Sequence, residues 1–154
     1  MRINFDMDGT IANLYGVDNW LEYLENENTY PYEVASPLVR LSNLARVLNR
    51  LRAEGFELGI ISWLSKNSTE EYEREVEFAK RKWLATHMPS VVWDSIAIVP
   101  YGTPKRLFCT SEDDILFDDE ERNRAEWAGK AYDVNNIMEI LKTLGGFLKK
   151  ILDK

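Results

Sequence analysis

Residues 6 to 10 read Asp6-Met7-Asp8-Gly9-Thr10 and follow directly on a short apolar stretch, Ile3-Asn4-Phe5. Two carboxylates one residue apart at a strand end suit phosphoryl transfer, in which one Asp attacks phosphorus while the other manages the proton. A carboxylate needs no deprotonation at neutral pH, so Asp6 is the candidate nucleophile and would form an aspartyl-phosphate. Asp8 would protonate the leaving alcohol and then activate water. Gly9 permits a turn that a side chain would hinder, and Thr10 helps to position the phosphate-side loop.

The elements that must hold these groups are legible from hydrophobic periodicity. Residues Asn13 to Ala35 form a modest insertion, rich in acids and in the aromatics Tyr15, Trp20, Tyr23, Tyr30 and Tyr32. Ser36-Pro37 announces a helix, as an N-cap residue with proline in the first turn, and Leu38, Leu41, Leu44, Ala45, Leu48 and Leu51 follow at helical spacing up to Gly55. Phe56 to Ser62 is an apolar run of strand length. A second helix runs from about Ser68 or Thr69 to Thr86, with glutamates in its first turn. Val91 to Val99 supplies a third strand, Thr103 to Phe108 a short helical turn, and Asp114 to Phe117 a fourth strand. After Asp118-Asp119 comes a helix through about Trp127, then a short fifth strand, Lys130 to Tyr132. A last helix spans Val134 to Leu144, and an amphipathic tail runs from Phe147 to Lys154. The alternation of strands and helices predicts an α/β fold, a doubly wound parallel sheet with helices on both faces.

In such sheets ligands bind outside the carboxyl ends of the strands, near the point where the strand order reverses. Asp6 and Asp8 follow the first strand, Ser62 ends the second, and Asp118 with Asp119 follows the fourth. Lys105, in Gly102-Thr103-Pro104-Lys105, precedes the fourth strand and can reach the same crevice. Asp113 and Asp114 lie at the opposite end of that strand and are read as structural. His87, the single histidine, caps or packs at a helix end. Lys80-Arg81-Lys82 reads as a solvated helix face.

A length of 154 residues fits one domain, residues 1–154, with the insertion at about 13–35 and little room for a second large unit. A composition of 45% hydrophobic and 12% aromatic residues is globular, with no run long enough to cross a bilayer. No secretory signal opens the chain, and one cysteine, Cys109, makes no internal disulfide, which together predict a cytoplasmic setting. The formal net charge of −7 repels polyanions, so long nucleic acid is not an expected partner and neither is a membrane. A small phosphorylated substrate remains compatible, provided that a divalent cation and a local lysine reverse the field inside the site.

The order and spacing of Asp6-Met7-Asp8-Gly9-Thr10, Ser62, Lys105 and Asp118-Asp119 resemble the four motifs of the haloacid dehalogenase (HAD) superfamily of Asp-nucleophile phosphatases, over roughly Met1 to Val134. The resemblance implies a HAD-like Rossmannoid fold with a small cap. It also implies Mg²⁺ held by Asp6, by the backbone carbonyl of Asp8 and by an acid of the last motif. Asp119 is favoured as that ligand, with Asp118 beside it or in the outer shell; an oxygen-only donor set suits magnesium. Ser62 would donate its hydroxyl to the phosphoryl oxygens, and Lys105 would offset the carboxylates and orient Asp6. Thr10 and Trp63 complete the expected phosphate side.

The expected function is therefore Mg²⁺-dependent hydrolysis of a small phosphomonoester. The chain is also similar to the deoxyribonucleotidase branch of the 5′-nucleotidases, through its small cap and the Gly-Thr-Pro-Lys segment, which makes a (deoxy)nucleoside monophosphate one candidate substrate. An aromatic insertion with Trp63 nearby favours stacking on a flat group, and the same aromatics serve equally to fasten the insertion to the core. The alternatives are a polynucleotide-end phosphatase, which the net charge disfavours, and a non-catalytic phosphate-binding module. A receiver-like phospho-acceptor lacks its acceptor Asp at the end of the third strand, between Ile96 and Pro100.

Overall fold

Arg2–Phe5 (β1), Glu57–Trp63 (β2), Ser95–Val99 (β3), Ile115–Phe117 (β4) and Lys130–Tyr132 (β5) pair in parallel into one sheet, in the order β3-β2-β1-β4-β5. The structure, a computed structural model, describes residues 1–146, so the expected amphipathic tail from 147 to 154 lies outside the described residues. The central strands are apolar on both faces because both faces are covered. Ile3, Phe5, Leu58, Ile60, Ile115 and Phe117 pack on one side with Leu41–Ala53 (α3) and Ile137–Leu144 (α6). Ile61 and Leu116 pack on the other against Trp127, which follows Glu121–Glu126 (α5). The sheet is thus doubly wound, as expected.

Glu70–His87 (α4) links β2 to β3 and opens on Thr69, whose hydroxyl accepts from the backbone N–H of Tyr72 at 3.2 Å. Its apolar stripe of Tyr72, Val76 and Ala79 carries a separate cluster with Leu14, Tyr32 and Leu64, and this cluster seats the insertion. The insertion holds two short helices, Trp20–Glu25 (α1) and Tyr30–Val34 (α2). The Tyr72 hydroxyl donates to the carbonyl of Asn28 at 2.9 Å and so ties α4 to the turn between them.

The helix expected to open at Ser36-Pro37 begins instead at Leu41. Residues 36–38 pair with 11–13: Asn13 N–H donates to the Ser36 carbonyl at 2.8 Å, and Leu38 N–H to that of Ile11 at 2.9 Å. Backbone groups spent on that pairing cannot open a helix, and the pairing closes the base of the insertion. Leu38 is accordingly exposed, outside the buried stripe of α3. Among the described residues no helix is long and apolar enough to cross a membrane.

Candidate active site

The strand order runs outward through β2 and β3 on one side of β1 and through β4 and β5 on the other, so the switch point lies between β1 and β4. Both acid motifs emerge there. The parallel ladder continues one residue past β1, Asp6 N–H donating to the Phe117 carbonyl at 2.9 Å, and Asp118 N–H donates to the Tyr132 carbonyl at 3.2 Å. Carboxylate oxygens of Asp6, Asp118 and Asp119 all lie within 4.8 Å of one another. Gly9 has φ +79°, and a β-carbon there would collide with the Asp119 carboxylate and the Tyr15 ring, so glycine is required by conformation and by space.

The two acids of the last motif differ in their engagement. Asp118 is buried and saturated: Oδ1 accepts from Glu120 N–H at 2.9 Å, and Oδ2 from Lys105 Nζ at 2.7 Å and Asn123 Nδ2 at 3.1 Å. Asp119 is half-buried and lines the cavity without such partners. Burial, followed by the adjacent Asp6, pushes its carboxyl up to about 8 in the absence of a cation. A cluster that raises its own proton affinity in this way is one that a divalent cation relieves.

Two buried lysines serve the two aspartates of the first motif. Lys105 Nζ lies 2.8 Å from Asp6 Oδ1, while Thr10 Oγ1 donates to Asp6 Oδ2 at 3.0 Å. Lys105 is 2% exposed, and Asp6 with Asp118 holds its ammonium well above the usual lysine range against the opposing effect of burial. Lys80, 1% exposed, donates to Asp8 Oδ2 at 2.7 Å, to Ser62 Oγ at 2.7 Å and to the Trp63 carbonyl at 2.6 Å. Burial raises the Asp8 carboxyl above the ordinary range, an effect that Lys80 opposes and Asp6 reinforces.

In front of these groups opens a cavity of about 420 Å³. Tyr15, Trp20, Tyr32, Trp63 and Tyr101 give it an aromatic wall, with Leu14, Leu21 and Leu24 beside them. The Trp63 indole N–H donates to the Thr103 carbonyl at 2.8 Å, its ring lies 5.3 Å from Lys105 Nζ, and it packs on Tyr101 with centroids 5.0 Å apart. Trp63 thus fixes the loop that delivers Lys105. Lys66 and Lys105 are the cations of the cavity lining among the described residues.

The structure brings Asp6, Asp8, Lys105, Asp118, Asp119 and Trp63 to one cavity and sets Thr10 behind Asp6. Ser62 is fully buried, and its hydroxyl oxygen accepts from Lys80 behind the cavity wall. Of the insertion's aromatics, Tyr15, Trp20 and Tyr32 reach the cavity, whereas Tyr23 and Tyr30 pack on each other with centroids 5.1 Å apart. Tyr32 is buried and fastens the insertion, and Tyr15 is half-exposed at the mouth. Asp114 is structural, as expected, accepting from Arg2 N–H and from both donors of Thr110. His87 packs on Trp83 with centroids 4.3 Å apart.

Reading Lys80-Arg81-Lys82 as a solvated face was wrong for Lys80 and right for the two exposed cations after it. The signal was present in the helical period. Lys80 follows Val76 by four residues and precedes Leu84 by four, which places it on the buried stripe of α4. Asn123 and Tyr101 were also missed, and neither carries a sequence signal of its own.

No family model matches this sequence, and no curated protein matches it either. Solved structures do resemble the fold. The D,D-heptose 1,7-bisphosphate phosphatase of Burkholderia thailandensis aligns over 99% of both chains, with a TM-score of 0.53 and 12% identity. That of B. bronchiseptica, solved with magnesium and phosphate, aligns over 99% of this chain and 98% of its own, with a TM-score of 0.55 and 14% identity. The likeness is one of fold. It agrees with the HAD-like architecture that the sequence motifs imply, and gives no support to the nucleotidase branch.

Proposed function

We propose that the protein is a Mg²⁺-dependent phosphomonoesterase working through an aspartyl-phosphate on Asp6. The observation that carries this reading is the meeting of Asp6, Asp118 and Asp119 within 4.8 Å at the switch point, with Lys105 on Asp6. A carboxylate-rich, oxygen-only cluster fits a hard divalent cation, and the phosphatase of like fold solved with magnesium and phosphate supports the choice. Asp6 and Asp119 would hold the ion directly, with the backbone carbonyl of Asp8: Asp119 lines the cavity, whereas Asp118 is turned to three donors, Lys105, Asn123 and the Glu120 N–H. When bound, the cation neutralises charge on the phosphoryl oxygens.

In the first half-reaction a carboxylate oxygen of Asp6 bonds to phosphorus as the bond from phosphorus to the ester oxygen breaks. That oxygen leaves with the proton of Asp8 as an alcohol. In the second, water attacks phosphorus and gives its proton to Asp8, and the acyl-phosphate bond breaks to release inorganic phosphate and return the Asp6 carboxylate. Lys105 holds Asp6 for in-line attack, and Thr10 fixes its other oxygen.

The cavity wall supports a choice of substrate class. Beyond Lys105 the lining offers Lys66 as its one further cation among the described residues, against Glu25, Glu27 and Glu120. A second phosphate would therefore lie among carboxylates. A monophosphate carrying a flat apolar group matches Tyr15, Trp20 and Trp63 better, and a (deoxy)nucleoside monophosphate is the leading candidate. Phosphate release with and without Mg²⁺ across nucleoside 5′- and 3′-monophosphates, aryl phosphates and sugar mono- and bisphosphates tests both parts. Hydrolysis of the flat monophosphates is expected, and Asp6→Asn should abolish it while the protein remains folded. Preference for a sugar bisphosphate would overturn the substrate class, and full activity of D6N the nucleophile.

A further inference from the structure

We infer that Lys80, resting on the phosphatase reading above, is a positioning residue that fixes Asp8 for proton transfer. Its ammonium has three donors, and all three are used: Asp8 Oδ2, Ser62 Oγ and the Trp63 carbonyl. Two of those acceptors belong to the end of β2, where Ser62 and Trp63 are held by pairing with Ile98 and Val99 of β3. The third is a side chain that would otherwise turn about a broad two-fold torsion. Anchoring Oδ2 therefore sets the plane of the Asp8 carboxylate and leaves Oδ1, which takes no hydrogen bond from the described residues, as the oxygen that meets the leaving group.

The anchor is itself immobile. Lys80 leaves a helix packed on the sheet through Val76, Trp83 and Leu84, and its ammonium sits 5.1 Å from the ring centroid of buried Tyr32, which belongs to the insertion. Lys80 thereby joins three segments: the loop after β1, the end of β2 and the insertion. Burying a charged lysine completely is costly unless it is fully paired, and the cost here is met at the one side chain assigned to proton transfer rather than at a surface carboxylate. The consequence is a division between the two lysines. Of the site's carboxylates, Lys105 holds the nucleophile Asp6 and Asp118 of the last motif, and Lys80 holds Asp8.

The test uses leaving-group dependence, which a merely structural lysine would not alter. Expulsion of p-nitrophenolate needs little protonation, whereas expulsion of an alkoxide depends on it. With wild-type protein, Lys80→Met and Asp8→Asn, kcat/KM, which reports the steps through formation of the aspartyl-phosphate, is compared on p-nitrophenyl phosphate and on a nucleoside or alkyl monophosphate. K80M is expected to lose roughly 10- to 100-fold on the alkyl ester, part of the 10²–10⁴ that acid–base catalysis supplies, and only a few-fold on the aryl ester. In the D8N background, K80M should bring no further loss on the alkyl ester. Equal losses on both esters, or full additivity with D8N, would overturn the assignment. If K80M does not fold, Lys80→Gln, which keeps a shorter, uncharged NH₂ donor, carries the same comparison. A folded wild-type protein inert on both esters overturns the phosphatase reading and this assignment together.

Discussion

Lys105 Nζ lies 2.7 Å from Asp118 Oδ2 while it also holds Asp6 Oδ1 at 2.8 Å, so one ammonium bridges the strand ends on either side of the switch point. Lys105→Met should remove that bridge and leave two buried carboxylates facing each other. Breaking a buried pair in this way costs about 3–5 kcal/mol. Chemical denaturation at pH 7 should show a loss of that order, together with a large fall in phosphate release. Because the lysine is held above its usual range, its stabilisation is complete below that range and is lost only in strong alkali. The deficit of K105M should therefore persist across pH 6 to 9, and any change in it there reports the carboxyls that the lysine leaves behind.

Magnesium should stabilise the protein, and more so at alkaline pH. Burial and Asp6 raise Asp119 to about 8, so in metal-free protein this carboxyl binds a proton more tightly folded than unfolded, and stability falls as pH rises from about 4 towards 8. Above that window the cation no longer competes with the proton. At 100 times Kd a ligand contributes about 2.7 kcal/mol, or about 5–10 °C in Tm for a chain of this size. Thermal melts with and without Mg²⁺ should show the larger shift at pH 8 and the smaller at pH 6. No shift at either pH would refute the carboxylate metal centre.

Gly9→Ala should damage the metal site more than the fold. Its φ of +79° costs an alanine about 1 kcal/mol, and the new methyl must displace the Asp119 carboxylate. The expected outcome is a modest fall in Tm and a Mg²⁺ dependence of activity moved to much higher concentration, read from a cation titration of initial rates.

Asp114→Ala should do the reverse, lowering stability while sparing chemistry. Its carboxylate accepts from Arg2 N–H at 2.9 Å and from Thr110 N–H and Oγ1 at 2.7 and 2.6 Å, leaving three donors unpaired on substitution at about 1–3 kcal/mol for a buried one. Although burial opposes it, the bonds from Thr110 and Arg2 hold this carboxyl below the usual range, so its contribution is present above about pH 4 and is lost as pH falls further. The gap between wild type and D114A in denaturant midpoint should narrow in acid, with kcat per folded molecule unchanged.

The sheet and the strand-end acids were legible because apolar runs of strand length and period-3.6 stripes are local signals, and Asp6, Asp8 and Asp118-Asp119 each end such a run. The late start of α3 was not, because the pairing of 36–38 with 11–13 is a tertiary claim on backbone groups that a local cap signal cannot foresee. Lys80 was hidden by its neighbours: a run of three cations reads as solvated, although helical phase separates the first from the other two. Ser62 was found at its strand end, but its partner could be known only once α4 was laid across that end. Asn123 owes its role to the saturation of Asp118, and no spacing rule announces it.

Placing β1 at the centre of the sheet has a consequence for biosynthesis. The strand that carries Asp6 is made first, yet one of its two neighbours, β4, begins at Ile115. At about 5–20 residues per second, β1 and β2 wait several seconds or more on the ribosome with an apolar edge unpaired. Such an edge recruits strands from other chains. A nascent chain stalled before Ile115 should therefore be the species that chaperones hold and that aggregates when they are scarce.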